Sequence, residues 1–273
     1  MSTTRYRQPG PLTSLAGVPE SAFAGLGDDP VDICRPIRSL VLQPDDARQL
    51  GLPENRLATT NVRPAAALVQ AVLTYGPAPL VQPRPAEARV VGTCRHFALL
   101  ACALLRHRGF AARVRCGFAT YFQPGKGLDH WVTEYWDKAA GGWVRIDTEI
   151  LGGNVLESPE RLVDGQFFTG GEAWQRYRAG GLDATQFGVP GTENWGPSEI
   201  RGNAVRDLAC LNDVEMLPWD EWGLMTDAYD GKTDEAYDLL LDRLAEVCAD
   251  DDPVAIAELY RHPHFQVPAD LIR

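Results

Sequence analysis

Along the middle of the chain, apolar and polar positions change period once. Phe97, Leu100, Ala101, Leu104 and Leu105 recur at helical spacing behind Gly92-Thr93. Thr93 is the expected N-cap, which puts Cys94 in the first turn, and Arg108-Gly109-Phe110 carries a glycine stop signal. Beyond it the alternation drops to two. Residues 111–118, 129–136 and 143–147 read as three strands, separated by a Pro-Gly-Lys-Gly turn at 124–127 and an Asp-to-Gly turn at 137–142.

The flanks are less regular. Residues 1–30, rich in Gly, Pro and Ser, read as an arm laid over a core or a partly disordered leader. Ile37 to Leu42 suggests a strand, Asp45 to Leu50 a helical turn, and Pro64 to Leu73 a helix with proline near its start. Four prolines make 76–90 an extended linker that delivers the chain to Gly92. Glycines break up 150–203, where only 171–178 reads as helix, and six aromatic residues without a core period suggest a cover over a site. Residues 203–217 and 233–247 are expected helices, and a shorter one starts at Pro253. The expected organisation is an N-terminal arm and start of the core (1–60), a core (61–150), a glycine- and aromatic-rich cover (151–203) and a helical C-terminal region (204–273), together one compact unit.

Composition narrows the function classes. With 273 residues and 45% apolar content, the chain can bury a substantial core. The formal charge of −11 disfavours non-specific binding to nucleic acid or anionic membranes. There is no apolar run of transmembrane length, and Met1 to Leu12 lacks the apolar core of a signal peptide, so a cytoplasmic location is expected. Six cysteines at 34, 94, 102, 116, 210 and 248 lack Cys-x-x-Cys spacing, which suggests neither a disulfide framework nor a zinc site. Three lysines stand beside 23 arginines, a balance read as that of a bacterial genome of high GC content.

The candidate chemistry lies where helix gives way to strands. A cysteine in a first helical turn faces unpaired N–H groups and the positive end of the helix dipole, which favour the thiolate. The alternative for Cys94 is a small core residue. His130 opens one strand and Asp147 closes the next, residue types suited to a base and to the group that orients it.

The order of these pieces resembles the transglutaminase-like branch of the papain-type cysteine enzymes. The matching residues are Gly92-x-Cys94, Leu104-Leu105-Arg106-x-x-Gly109, Ala112-Arg113-Val114-x-x-Gly117, His130-Trp131-Val132-x-Glu134 and Trp143-Val144-x-Ile146-Asp147, within about 60–155. The resemblance implies an α+β, papain-like fold, with the Cys-bearing helix packed on an antiparallel sheet and a mostly helical C-terminal region. It implies a catalytic triad of Cys94, His130 and Asp147. A departure is Arg95-His96, where many relatives carry an acidic or aromatic residue after the cysteine.

The expected function is a cysteine-dependent amidase or peptidase working through an acyl-thioester on Cys94, with His130 as acid and base. Transglutaminase-type or small-molecule acyl transfer in a bacterial biosynthetic pathway is the alternative, and a non-catalytic binding module of the same fold a third reading. The Cys94 N–H is the first oxyanion donor, with Gln82 or Asn61 as candidate amide donors. Trp131, Trp174 and Trp195 are candidate substrate contacts. No cofactor and no metal are expected, and the partner is an amide- or acyl-bearing substrate. His96, about 200° around the helix from Cys94, is a poor alternative base. His107 reads as a capping charge at the helix C-terminus, and His262-Pro-His264 looks like a metal pair that no carboxylate or cysteine at suitable spacing joins.

Overall fold

The structure, a computed structural model, describes residues 3–272 and is α+β. Helices α1 (Pro30–Cys34), α2 (Pro44–Gln49) and α3 (Ala65–Tyr75) lead to α4 (Cys94–His107), with the short strands β1 (Val41–Leu42) and β2 (Val90–Val91) between them. Then come β3 (Ala112–Ala119), β4 (Gly127–Asp137) and β5 (Gly142–Ile146). The remainder holds β6 (Phe167–Thr169), α5 (Gly170–Arg178), β7 (Phe187–Gly188), α6 (Pro197–Cys210), α7 (Met225–Tyr229), α8 (Glu235–Asp250) and α9 (Pro253–Tyr260). The sheet order is β5-β4-β3-β6, with β7 pairing β4; β4 and β5 are antiparallel, Thr133 opposite Ile146. No described helix is long and apolar enough to cross a membrane.

Two expectations change. Residues 35–39 close as a 3-10 helix, where Ser39 Oγ donates to the Pro36 carbonyl, and only Val41–Leu42 is extended. The helix expected at 203–217 runs instead from Pro197 to Cys210. It starts behind Gly196, at φ 89°, with proline in its first turn. Its buried face carries Glu199, Asn203, Arg206 and Asp207, which masks the apolar period that the sequence reading relied on.

Contacts gather the chain into two compact units. One comprises Thr3–Val114 and Val132–Leu162. Helix α4 runs through its core, buried from Cys94 to Arg106 and packed against α1 and α3. Arg106 joins helix, strand and arm, its Nε donating to the Ala112 carbonyl at 2.8 Å and Nη1 to Thr13 Oγ1 at 3.0 Å. Tyr6, Leu12, Phe23 and Leu26 are buried, so the N-terminal arm lies on this core. Glu134 is bracketed by Arg113 at 2.7 Å and Arg145 at 2.9 Å.

The other unit comprises Arg115–Trp131 and the chain from Val163 onward. Its core joins Trp174 of α5, Ile200 and Leu208 of α6, Leu241 and Leu244 of α8, and Ile256 of α9. Gly117 sits opposite Thr169 on β6, where a Cβ would fall 2.0 Å from the Phe168 carbonyl oxygen, so a side chain there would part the strands.

Candidate active site

The approach to Cys94 is pinned before the helix begins. Strand β2 pairs in parallel with β1, and the Thr59 hydroxyl accepts the Val91 N–H at 2.9 Å. At Gly92 a Cβ would lie 2.8 Å from His96 Cβ and Cγ, so the glycine leaves room for that ring to fold back over the helix start. The Thr93 N–H donates to His96 Nδ1 at 3.0 Å. Because Nδ1 accepts, Nε2 carries the proton and donates to the Val62 carbonyl at 3.2 Å. Burial pushes the His96 pKa down to about 3, and the neighbouring Arg95 charge adds to the shift. His96 is a neutral cap, with both ring nitrogens committed.

Arg95, the other departure, is wholly buried and donates from Nη1 to the Arg63 carbonyl at 2.9 Å. Thr93 is the N-cap, as expected, and Cys94 is the first helical residue. Among the cysteines it shares a slight exposure only with Cys248, at 7%, which sits in the helical core of the other unit. Cys94 keeps 9% of its surface exposed, whereas Cys34, Cys102, Cys116 and Cys210 keep none. Burial raises the Cys34 and Cys116 thiols far above the ordinary range, which makes them inert.

Asp147 follows Ile146, the last paired residue of β5, and is buried. Its Oδ1 accepts the Glu149 N–H at 2.9 Å, and its own N–H donates to the Pro159 carbonyl at 2.9 Å. This side-chain turn fixes Glu149, and a Glu149 carboxylate oxygen lies within 4.8 Å of the Cys94 sulfur. Sequence reasoning missed Glu149, although its place two residues after Asp147 was visible.

His130 lies on β4, three residues before Thr133, whose hydroxyl donates to the Ala98 carbonyl of α4 at 2.9 Å. The imidazole is 3% exposed and meets two rings edge-on, Phe122 at 5.0 Å and Tyr121 at 6.2 Å between centroids. Tyr121 and Phe122, half-buried just before the 124–127 turn, were also missed; their adjacency to that turn was the available signal.

The remaining candidates fall in varied places. Asn61 and Gln82 are exposed, in a 3-10 helix and a turn. Trp131 is 1% exposed on β4. Trp174 is fully buried, and its Nε1 donates to Asp242 at 2.8 Å. Trp195 is half-buried, packs on Gly188 and carries the Lys126 ammonium 5.1 Å from its ring centroid. His107 stacks on Phe23 at 4.1 Å.

Residues 55–148 match the family model of the transglutaminase-like superfamily. No curated protein matches the chain. Among solved structures, a candidate cysteine protease from Cytophaga hutchinsonii aligns with TM-score 0.36 and 19% identity over 54% of this chain and 42% of that one. A red sea bream transglutaminase aligns with TM-score 0.32 and 19% identity over 51% of this chain and 23% of that one. The chain thus spans less than half the length of either relative.

Proposed function

We propose that the transglutaminase-like core at 55–148 belongs to a cysteine enzyme that opens amides through an acyl-thioester on Cys94, as an amidase or peptidase. The observation that carries this reading is the position of Cys94. It is the first residue of a helix whose neighbouring histidine is consumed as a cap, and it keeps 9% of its surface exposed. The helix start favours the anion, and the family match gives that anion a task.

In this mechanism the Cys94 thiolate attacks the amide carbon and the backbone N–H of Cys94 receives the developing oxyanion. His130 delivers a proton to the departing amine as the C–N bond breaks, and Asp147 holds the imidazole in the tautomer that can do so. Water then attacks the thioester, gives its proton to His130 and releases the acid and the thiolate. Transfer to an amine is the second reading, favoured by the Glu149 carboxylate within 4.8 Å of the sulfur, because a carboxylate there attracts a cationic acceptor.

Iodoacetamide footprinting with mass spectrometry tests the reading, alongside turnover of a panel of peptide and small-molecule amides. Selective labelling of Cys94 at neutral pH, and turnover abolished in Cys94→Ala, are expected. Labelling of Cys94 no faster than that of the buried cysteines, with no amide turned over by the folded chain, would favour the non-catalytic module instead.

A further inference from the structure

Helix α6 buries a polar stripe that the reaction above does not use. Glu199, Asn203, Arg206 and Asp207 are each no more than 2% exposed. Asp207 is held by Arg115 at 2.8 and 2.7 Å and accepts the Cys116 N–H at 3.1 Å. Asn203 is the centre of the rest. Its Nδ2 donates to the Gly117 carbonyl of β3 at 3.2 Å and to Asp129 Oδ1 of β4 at 2.8 Å. Its Oδ1 accepts from Cys116 Sγ at 3.3 Å and from Arg206 Nη1 at 3.1 Å. Arg206 also donates to Glu199 at 3.2 Å, and Glu199 accepts the Tyr229 hydroxyl.

The charges in this stripe do not cancel. Arg115 and Asp207 neutralise each other, which leaves Arg206 facing two carboxylates, Glu199 and Asp129. Burial pushes Glu199 up to about 7 and raises Asp129 as well, against the lowering pull of Arg206. Apolar side chains of similar volume would fill this space at less cost in desolvation. The stripe grips neighbouring strands β3 and β4 at Gly117 and Asp129, the residue before His130. Side chains alternate along a strand, so this grip comes from behind the strand, opposite the face that presents the His130 ring to Phe122 and Tyr121.

We propose that Asn203 is a positioning residue for His130: by tying Asp129 to Gly117 it fixes the strand segment from which the imidazole works. The inference rests on His130 being the acid and base of the proposed reaction, but its test need not. In the full chain labelled with 15N-histidine, with His130→Gln assigning the signal, the His130 ring resonances carry the shift imposed by the Phe122 and Tyr121 rings. Asn203→Ala should move those resonances and displace their titration midpoint by about half a pH unit or more. Asp129→Asn alone, which keeps a side-chain carbonyl for the Asn203 amide, should leave them near wild type. On a substrate, Asn203→Ala should lower kcat about tenfold at unchanged KM. If Asn203→Ala does not fold, Asp129→Ala removes the other end of the same bond and is read by the same resonances. Wild-type His130 resonances in either folded alanine variant overturn the proposal. Absence of Cys94-dependent turnover in the wild type would instead end the reading of the site and leave this inference standing on the spectra.

Discussion

The Thr93 N–H donates to His96 Nδ1 at 3.0 Å, so the imidazole two residues from Cys94 closes the start of α4. A polar side chain at the third helical position that reaches back to the N-cap N–H is half of a capping box, a role usually filled by Glu or Gln. Here a neutral histidine fills it, and the same ring reaches the Val62 carbonyl. The helix start that presents Cys94 is therefore tied to the chain ahead of α3.

His96→Gln should preserve this cap, whereas His96→Ala should cost about 1 kcal/mol of stability. The pH dependence follows from the sign of the shift. The folded-state value, about 3, lies below the ordinary 6.5, so the folded chain resists protonation and the unfolded chain does not. The stability this group contributes is complete above pH 6.5 and is lost as pH falls toward 3. Melting temperatures between pH 6.5 and 5, above the range of most carboxylates, should fall less steeply in His96→Gln than in wild type. Parallel curves would contradict the neutral cap.

In the proposed reaction Cys94 works as a thiolate from a helix start, so it should be alkylated with a pH inflection well below about 8.5, the unperturbed cysteine value. His130→Ala should move that inflection upward and reduce turnover nearly as much as Cys94→Ala. Asp147→Asn should reduce turnover through misorientation of the ring, and the three losses should not add, because they act as a unit. An inflection at the free value in wild type would contradict the proposed thiolate.

Trp174 and Trp195 should respond oppositely to truncation. Trp174 is fully buried among α5, α6 and α8, so Trp174→Ala should cost about 3–5 kcal/mol and leave KM unchanged. Trp195 is half-buried, and Trp195→Ala should cost little stability and raise KM if it contacts substrate. Thermal melts with kinetics on both variants decide this; an unchanged KM in Trp195→Ala would remove it as a substrate contact.

The parts of the chain legible in advance are those where one physical rule dominates. Helix α4 and strands β3 to β5 fall within two residues of their expected bounds, because hydrophobic period, cap and glycine stop agree there. The Cys94 start of α4 was legible for the same reason. Helix α6 was not, since Glu199, Asn203, Arg206 and Asp207 occupy the face that burial would normally reserve for apolar residues. Trp174, on a helix expected at 171–178, is a candidate substrate contact only through the aromatic content of 150–203, and the structure buries it fully in the core of α5, α6 and α8. Gly170 is there for close packing: a Cβ on it would strike the Asn203 carbonyl at 2.2 Å, so it lets α5 approach α6. Glu149 sits in a local turn at Asp147 that the sequence shows, but its approach to Cys94, 55 positions earlier in the chain, is a tertiary fact without a local pattern.

Glu149 provides the sharpest discrimination between water and an amine as acyl acceptor. Its carboxylate lies within 4.8 Å of the Cys94 sulfur, and two unit charges at that separation repel by about 3.5 kcal/mol at an effective dielectric near 20. Glu149 is half-buried, so solvent screening reduces this, but the sign holds: the carboxylate opposes the thiolate. Glu149→Gln should therefore lower the alkylation inflection of Cys94 by about one unit, worth roughly 1.4 kcal/mol. A residue that weakens its own nucleophile needs a compensating use. After the thioester forms the sulfur is neutral and no longer repels the carboxylate, which can then attract an ammonium and accept its proton before attack. Glu149→Gln should consequently reduce incorporation of a labelled primary amine about tenfold while hydrolysis of the same acyl donor is maintained or rises. A fall in both by the same factor would assign Glu149 to the shared acylation step, and amine incorporation unaffected by the substitution would remove it from acceptor binding.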